Sequence, residues 1–257
     1  MSETLIVRRE NRLCRLILNR PEVLNALNPD MIAALDRAAD ELAADPEVRV
    51  VILEGQGQTF CSGADMSFFL QGLSASVWLD AMRSLGRAIL KLRALPQPII
   101  TKLEGAAIGG GANLALCGDL VVAAENARFR ENFVHLALTL DAGGSFFLPR
   151  MVGPVKAREL AFLGDEISGA DLARMGLVHK AVPQPQLEAE VLALASRLSN
   201  QNLASLSTIK RALEAGLDMT LAETLEWEAA QQSILLTAPE HRAAVEAFLY
   251  AKPGGST

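Results

Sequence analysis

Long apolar runs are missing from this chain. No stretch approaches the roughly 20 residues that a membrane-spanning helix needs, so no such helix is expected. The first ten residues, MSETLIVRRE, carry neither the apolar run of a signal peptide nor the Arg/Ser-rich, acid-poor composition of a transit peptide. Cysteine is scarce: Cys14, Cys61 and Cys117 are far apart and odd in number. They offer neither metal-ligand spacing nor a disulfide framework, and read as reduced thiols in a cytoplasmic setting. Positive charge is in deficit, 24 Lys and Arg against 30 Asp and Glu, for a formal net charge of −6. Without a basic stripe, nucleic acid is not the expected partner, and any polyanionic ligand must be held by local groups. The chain also lacks the Gly-Lys-Ser/Thr of a phosphate loop, the spaced glycines of a dinucleotide fingerprint, internal repeats and low-complexity tracts.

What is present is an α/β alternation in 257 residues, half of them apolar, enough for one good core plus an appendage. TLIVRRE and CRLILNR read as two strands joined by a turn near Glu10-Asn11. Residues 29–44 place Ile32, Leu35, Ala39 and Leu42 on one helical stripe, with Asn28 as N-cap and Pro29 at the first helical position. VRVVILEG, PIITKLEG, DLVVAAEN and LVHKAVP read as further strands, and SVWLDAMRSLGRAILKLRAL as a long helix ending before Pro96. The pattern predicts an α/β body over 1–190 and a helical region over 191–257.

Two strand-to-helix junctions concentrate the chemistry. TFCSGADMSFF follows VVILEG, and Gly109, Gly110 and Gly111 follow PIITKLEG and open a helix. Each glycine at a helix start costs backbone entropy, so the cluster suggests close approach to bare backbone. Each junction alone is also explained by a tight turn. Together they present free helix-start amides just past strand ends, and two such amides aimed at one oxygen would stabilise charge developing on a carbonyl.

At these residues the sequence resembles the crotonase (enoyl-CoA hydratase/isomerase) family. NRPEVLNAL (19–27), FCSGADM (60–66), GAAIGGGANLAL (105–116), LDAGGSFFLPRMVG (140–153), ARMGLVHKAV (173–182) and AVEAFLYAKP near the end fall in the family's order and spacing. The resemblance implies a crotonase-like ββα spiral core with a C-terminal helical trimerisation region, and an acyl-CoA thioester substrate. It implies a homotrimer or dimer of trimers, and no metal or redox cofactor, coenzyme A being part of the substrate. It also implies that the amides of Ala64 and Gly110 hold the thioester oxygen. Asp65, Met66 and Ser67 would line the adenine end of CoA, and Leu24 lies in the CoA-contacting loop. Asp65 is equally suited to capping a helix. Lys252 resembles the tail lysine that reaches CoA phosphate, one residue out of register. Arg8, Arg9, Arg12, Arg15 and Arg20 are further phosphate candidates, although a solvated strand face explains most of them.

Hydratases of the family carry two glutamates, at the positions of Asn113 and Phe133 here. Neither an amide nor a phenyl ring exchanges a proton at neutral pH, so ordinary hydration is not expected. Asp141 stands where many relatives have glycine and where double-bond isomerases, including that of the phenylacetate pathway, have aspartate. Moving a double bond needs one base that takes a proton from one carbon and returns it to another. An apolar setting among Leu138, Leu140, Phe146 and Phe147 would raise its pKa toward neutrality. Capping of the helix that begins at Gly143-Gly144 is the competing role. Glu131 and His135, read as strand residues sharing the face of Phe133, are reserve acid/base candidates. Phe68, Phe69, Leu70, Trp78, Met82 and Phe133 are expected to line the acyl pocket. The expected activity is isomerisation of an enoyl-CoA with Asp141 as proton shuttle. Alternatives are a hydratase with atypical residues, an Asp-nucleophile dehalogenase or hydrolase, and a silent acyl-CoA-binding or RNA-binding homologue.

Overall fold

The computed structural model describes residues 3–250, so Lys252 and the end of the closing motif lie outside the described residues. Chain contacts divide the protein into two compact units, separated between Ser199 and Asn200. The helix spanning the expected 190/191 boundary therefore belongs to the first unit.

The first unit is built on a six-stranded sheet. Strands β1 (Leu5–Glu10) and β2 (Leu13–Leu18) form the expected hairpin, turning through Asn11 with φ 53°. β2 then pairs in parallel with β3 (Val50–Gly55), followed by β4 (Ile99–Leu103), β6 (Leu120–Ala124) and β9 (Lys180–Val182), all parallel. Val50, Val51, Ile52 and Leu53 are all buried, as expected of a strand covered on both faces. A second sheet was not legible in the sequence. It joins β5 (Ala106–Ile108), β7 (Arg128–Arg130) and β8 (Ile167–Ser168), whose two or three residues are too short to show a period.

Helices cover the large sheet. α1 (Pro29–Ala43) starts where predicted, with Asn28 Oδ1 accepting from the Met31 amide at 2.9 Å. It buries Met31, Ile32, Leu35, Ala38, Ala39 and Leu42, each Leu or Ile contributing about 1.5–3 kcal/mol relative to exposure. α2 (Ala75–Arg93) packs against α1 through a buried face, Leu85, Ala88, Ile89 and Leu92, confined to its second half. α3 (Gly110–Leu116) is wholly buried. α4 (Gly144–Leu163), α5 (Gly169–Arg174) and α6 (Leu187–Ser199) complete the unit. α6 is tied to the sheet by a cluster of four charges. Arg15 meets Glu54 at 2.8 Å and Glu188 at 2.5 Å, and Lys102 meets Glu188 at 2.7 Å and Glu54 at 3.3 Å. Burial opposes the Lys102 charge, but Glu188 and Glu54 outweigh it and hold its pKa above the ordinary lysine value.

The second unit contains α7 (Leu203–Ala215), α8 (Leu221–Leu236) and α9 (Pro239–Tyr250). Asn202 caps α7, and Thr220 and Glu223 form a capping box at α8. None of the three helices has a buried residue, and Leu213, Leu221, Leu225, Ile234 and Phe248 are exposed. No helix among the described residues is long and apolar enough to cross a membrane.

The three glycines before and in α3 serve different needs. Gly109 turns the chain with φ 54°. Gly111 lies so close to the preceding loop that a Cβ there would sit 2.4 Å from Cys61 O. Gly111→Ala should therefore destabilise the fold by about 1–3 kcal/mol through forced backbone movement. Chemical denaturation checks this, a shift below about 0.5 kcal/mol being evidence that the loop and helix are not in fixed contact.

Candidate active site

Residues 59–65 are held on two sides. Cys61 pairs with β5, its N–H donating to Ala106 O at 3.0 Å and its C=O accepting from Ile108 N at 3.0 Å. Three residues on, Ala64 forms a parallel bridge with Leu27: Leu27 N donates to Gly63 O at 2.7 Å, and Asp65 N to Leu27 O at 2.9 Å. In a parallel bridge those bonds come from the neighbours of Ala64, so its own N–H points away from Leu27. Gly63, with φ 92°, packs on the β5–α3 turn, where a Cβ would lie 2.7 Å from Ile108 O and 3.7 Å from Gly110 N. The Ala64 and Gly110 amides therefore belong to adjoining backbone segments. Neither donates to an acceptor within the described residues. Ala64 is exposed and Gly110 is buried.

Asp141 approaches the same spot from the turn before α4. A Cβ on Gly110 would lie 3.1 Å from Asp141 Oδ1, a buried oxygen with no partner. The turn is strained at Ala142, which has φ 47°, and continues through Gly143, whose φ of 90° glycine adopts freely. The Asp141 side chain does not cap α4, whose N-cap is Gly143 with no side-chain bond. Only its main-chain oxygen is used, accepting from Gly144 N at 2.9 Å and Asn113 Nδ2 at 3.0 Å. Burial lifts the Asp141 carboxyl from 3.8 to about 6.

Asn113 organises this end of the site. Its amide sits against Gly144, where a Cβ would come 2.5 Å from Nδ2, and Nδ2 also lies 3.4 Å from Glu131 Oε2. Glu131 is only 1 % exposed, and burial, aided by the Asp141 charge, pushes it up to about 8. The strand expected around Phe133 is instead a 3-10 helix, Asn132–Leu136, so Glu131 and His135 do not share a strand face. The strand expectation rests on the every-second-residue spacing of Glu131, Phe133 and His135 alone, with Phe133 and Val134 breaking any polar/apolar alternation. His135 is exposed and pairs through Nε2 with Leu163 O at 3.0 Å, remote in role from Asp141. Phe133 is buried, and a Cβ on Gly109 would lie 3.6 Å from its ring.

The remaining expectations divide. Asp65 caps the 3-10 helix Met66–Gln71 by accepting from Ser67 N at 3.1 Å, and pairs with Arg20 at 2.8 Å. Burial works against its charge, but Ser67 and Arg20 prevail and hold the carboxyl below its usual range. Arg20 also donates to Ala26 O, so it ties the loop of residues 19–27 to that of 60–66. Leu24, with φ 55°, accepts from Ser62 N through its main-chain oxygen. Met66 and Ser67 are exposed, and Ser67 Oγ donates to Asp65. Arg9 pairs with Glu41 and Asp45, and Arg15 belongs to the four-charge cluster. Phe69 and Trp78 pack with ring centroids 5.4 Å apart, but Leu70 is 92 % exposed and forms no pocket wall. All three cysteines are free and buried, and burial pushes the Cys61 thiol up to about 12. Among the described residues no three His, Cys, Asp or Glu side chains gather as a metal site requires.

An acid whose folded pKa exceeds its unfolded value costs stability once the unfolded chain ionises. For Asp141 that cost grows as pH rises from about 4 to about 6 and is then fully present. Asp141→Asn should thus stabilise the protein by about 1–2 kcal/mol at neutral pH, with the gain vanishing toward pH ~4. Thermal melts across that range check it, equal melting temperatures at neutral pH being the contrary result.

The sequence model of the Enoyl-CoA hydratase/isomerase family matches residues 8–253. The chain is 37% identical to a probable enoyl-CoA hydratase of Rhodobacter capsulatus, over 94% of this chain and 93% of that protein. It is 33% identical to the 1,2-epoxyphenylacetyl-CoA isomerase of Escherichia coli, over 97% of this chain and 96% of that one. An enoyl-CoA hydratase crystal structure from Polaromonas sp. JS666 superposes with a TM-score of 0.92 at 32% identity, covering 95% and 96% of the two chains. One from Mycobacterium smegmatis superposes at 0.93 with 28% identity, covering 96% of each. With the family's sequence pattern across nearly its whole length and the crotonase fold beneath it, this chain belongs to the enoyl-CoA hydratase/isomerase family.

Proposed function

We propose that the protein is an enoyl-CoA isomerase in which Asp141 carries one proton between two carbons of the acyl group. The observation that supports this reading most is the unpartnered Asp141 Oδ1, 3.1 Å from the Cβ that Gly110 lacks. A thioester oxygen accepting from the Ala64 and Gly110 amides would bring its α-carbon beside that carboxylate. Asp141 removes the α-proton of a 3-enoyl thioester, the C3=C4 electrons become part of a dienolate, and charge gathers on the thioester oxygen. The same carboxylic acid returns the proton to the γ-carbon, leaving a C2=C3 bond and a regenerated carboxylate. Positioned amides meet the charge on oxygen, and the raised pKa suits a group that must both accept and release the proton. In this reading Met66, Ser67, Asp65 and Leu24 lie on the CoA side of the thioester, and Phe133 and Asn113 on the acyl side.

Hydration is the second reading, favoured by the names of the relatives, several of which are hydratases. Against it stand Asn113 and Phe133 at the positions of the two hydratase glutamates. Glu131 is too deeply buried to present a water molecule. The apolar surface of the C-terminal helices, including Leu225, Ile234 and Phe248, suits burial between copies in a homotrimer or dimer of trimers. Sedimentation should then give a trimer or hexamer mass, and a monomer at micromolar concentration would reject this assembly.

Asp141→Asn should lower isomerisation of a 3-enoyl-CoA by about 10²–10⁴-fold, with acyl-CoA affinity within about threefold of wild type. Wild type should wash solvent deuterium into the α- or γ-position and the variant should not. Equal isomerisation by the variant would overturn the assignment. Vigorous hydration of crotonyl-CoA by wild type, without isomerisation, would establish the second reading in its place.

A further inference from the structure

Glu131 is a buried acid that the isomerisation scheme leaves unused. Its Oε2 lies 3.4 Å from Asn113 Nδ2, while its Oε1 has no partner. Asn113 Oδ1, on the same amide, is likewise buried and without a partner. Two unpaired acceptors in one interior pocket mean that a donor is missing, and an ionised carboxylate cannot supply it. A carboxylic acid can, because it adds one O–H.

The surroundings on balance favour the neutral form. Burial opposes ionisation and outweighs the Asn113 N–H facing Glu131 from α3, which favours the charged form, and from the turn before α4 the negative charge of Asp141 adds to the burial. Arg130, next in the chain, directs Nε to Gly164 O at 2.6 Å, and His135, on the following 3-10 helix, is engaged with Leu163 O. Among the described residues no cation pairs with the Glu131 carboxyl.

We propose that Glu131 is held as a neutral carboxylic acid whose O–H donates to Asn113 Oδ1 while Asn113 Nδ2 donates back, so that Asp141 remains the one anion of this pocket. The acid–amide pair satisfies both stranded oxygens with one proton. It also fixes the amide that supports Asp141 O, and with it the turn that presents the Asp141 carboxylate. Glu131 is a positioning residue: it is buried behind Asn113 and acts through it. The pKa of about 8 that burial gives it is consistent with this role. When Glu131 ionises, its O–H is lost and a second negative charge opposes the enolate. Activity should therefore fall at alkaline pH. That catalytic consequence rests on Asp141 being the base, whereas the protonation state of Glu131 does not.

The test uses the full-length protein labelled with carbon-13 at the glutamate side-chain carboxyls, which separates Glu131 from Asp141. Infrared difference spectra should show one protonated glutamic acid band at about pH 7 that disappears by about pH 9 and is absent from Glu131→Gln. Glutamine replaces the O–H by N–H, so this variant should keep kcat/KM within about threefold of wild type near pH 7. Wild-type kcat/KM should fall about tenfold per pH unit above about pH 8, and the variant should lose that descending limb. Absence of the labelled acid band in wild type at about pH 7 overturns the proposal, even if Glu131→Gln fails to fold. An alkaline limb unchanged in a folded variant overturns the catalytic consequence. A band present in a protein that does not isomerise would leave the acid–amide pair standing and reject the isomerase reading instead.

Discussion

The site depends on one contact between two stretches of main chain. Cys61 is hydrogen-bonded to β5 on both of its backbone groups, and Gly111 then brings α3 hard against Cys61 O. No side chain intervenes, so the distance between loop and helix is set by backbone van der Waals radii, with no rotamer able to soften it. The Ala64 and Gly110 amides inherit that rigidity. Leu27 adds the second anchor, because its bonds to Gly63 and Asp65 leave the Ala64 N–H facing the other way. A polar site built from main-chain donors needs no reorganisation when charge develops, which is the property electrostatic catalysis requires.

Around this rigid seam the protein places groups that cost stability. Asp141 and Glu131 are both removed from water, Ala142 occupies left-handed backbone space, and three side-chain oxygens among Asn113, Glu131 and Asp141 lack partners. Elsewhere the same chain handles buried charge conventionally. Arg15, Glu54, Lys102 and Glu188 neutralise one another. The contrast separates the two uses of ionisable groups: paired where they hold α6 to the sheet, unpaired where proton chemistry is proposed.

Much of this was legible in the sequence for physical reasons. Asn28-Pro29 announces the start of α1 because the cap and the fixed proline φ are local effects. The glycine cluster announces close backbone approach because no other residue permits it. The small sheet escaped because β5, β7 and β8 derive their existence from tertiary pairing, not from their own two or three residues. The 3-10 helix at Asn132–Leu136 differs from the strand expected there, because the spacing of Glu131, Phe133 and His135 at every second residue is not backed by polar/apolar alternation in NFVHL. Glu131 was undervalued for a related reason, since burial of an acid is a property of what packs over it. Glu131 lies one residue past the end of β7, and its burial comes from the turn into the 3-10 helix, which the sequence does not show. Asp65 and Arg20 each read as a ligand candidate, and the structure engages them with each other.

The halves of α2 have different obligations. From Leu85 onward the helix is packed into the core, whereas the segment before it, from Met66 through Ser84, contains no buried residue and is anchored mainly at Asp65. Mutations there carry little folding cost, while the same changes a few turns later would open cavities. Sequence drift is thus channelled into this exposed segment and kept out of the seam between the loop and α3. A lineage built on this scaffold can vary that surface one residue at a time without first surviving the loss of its fold.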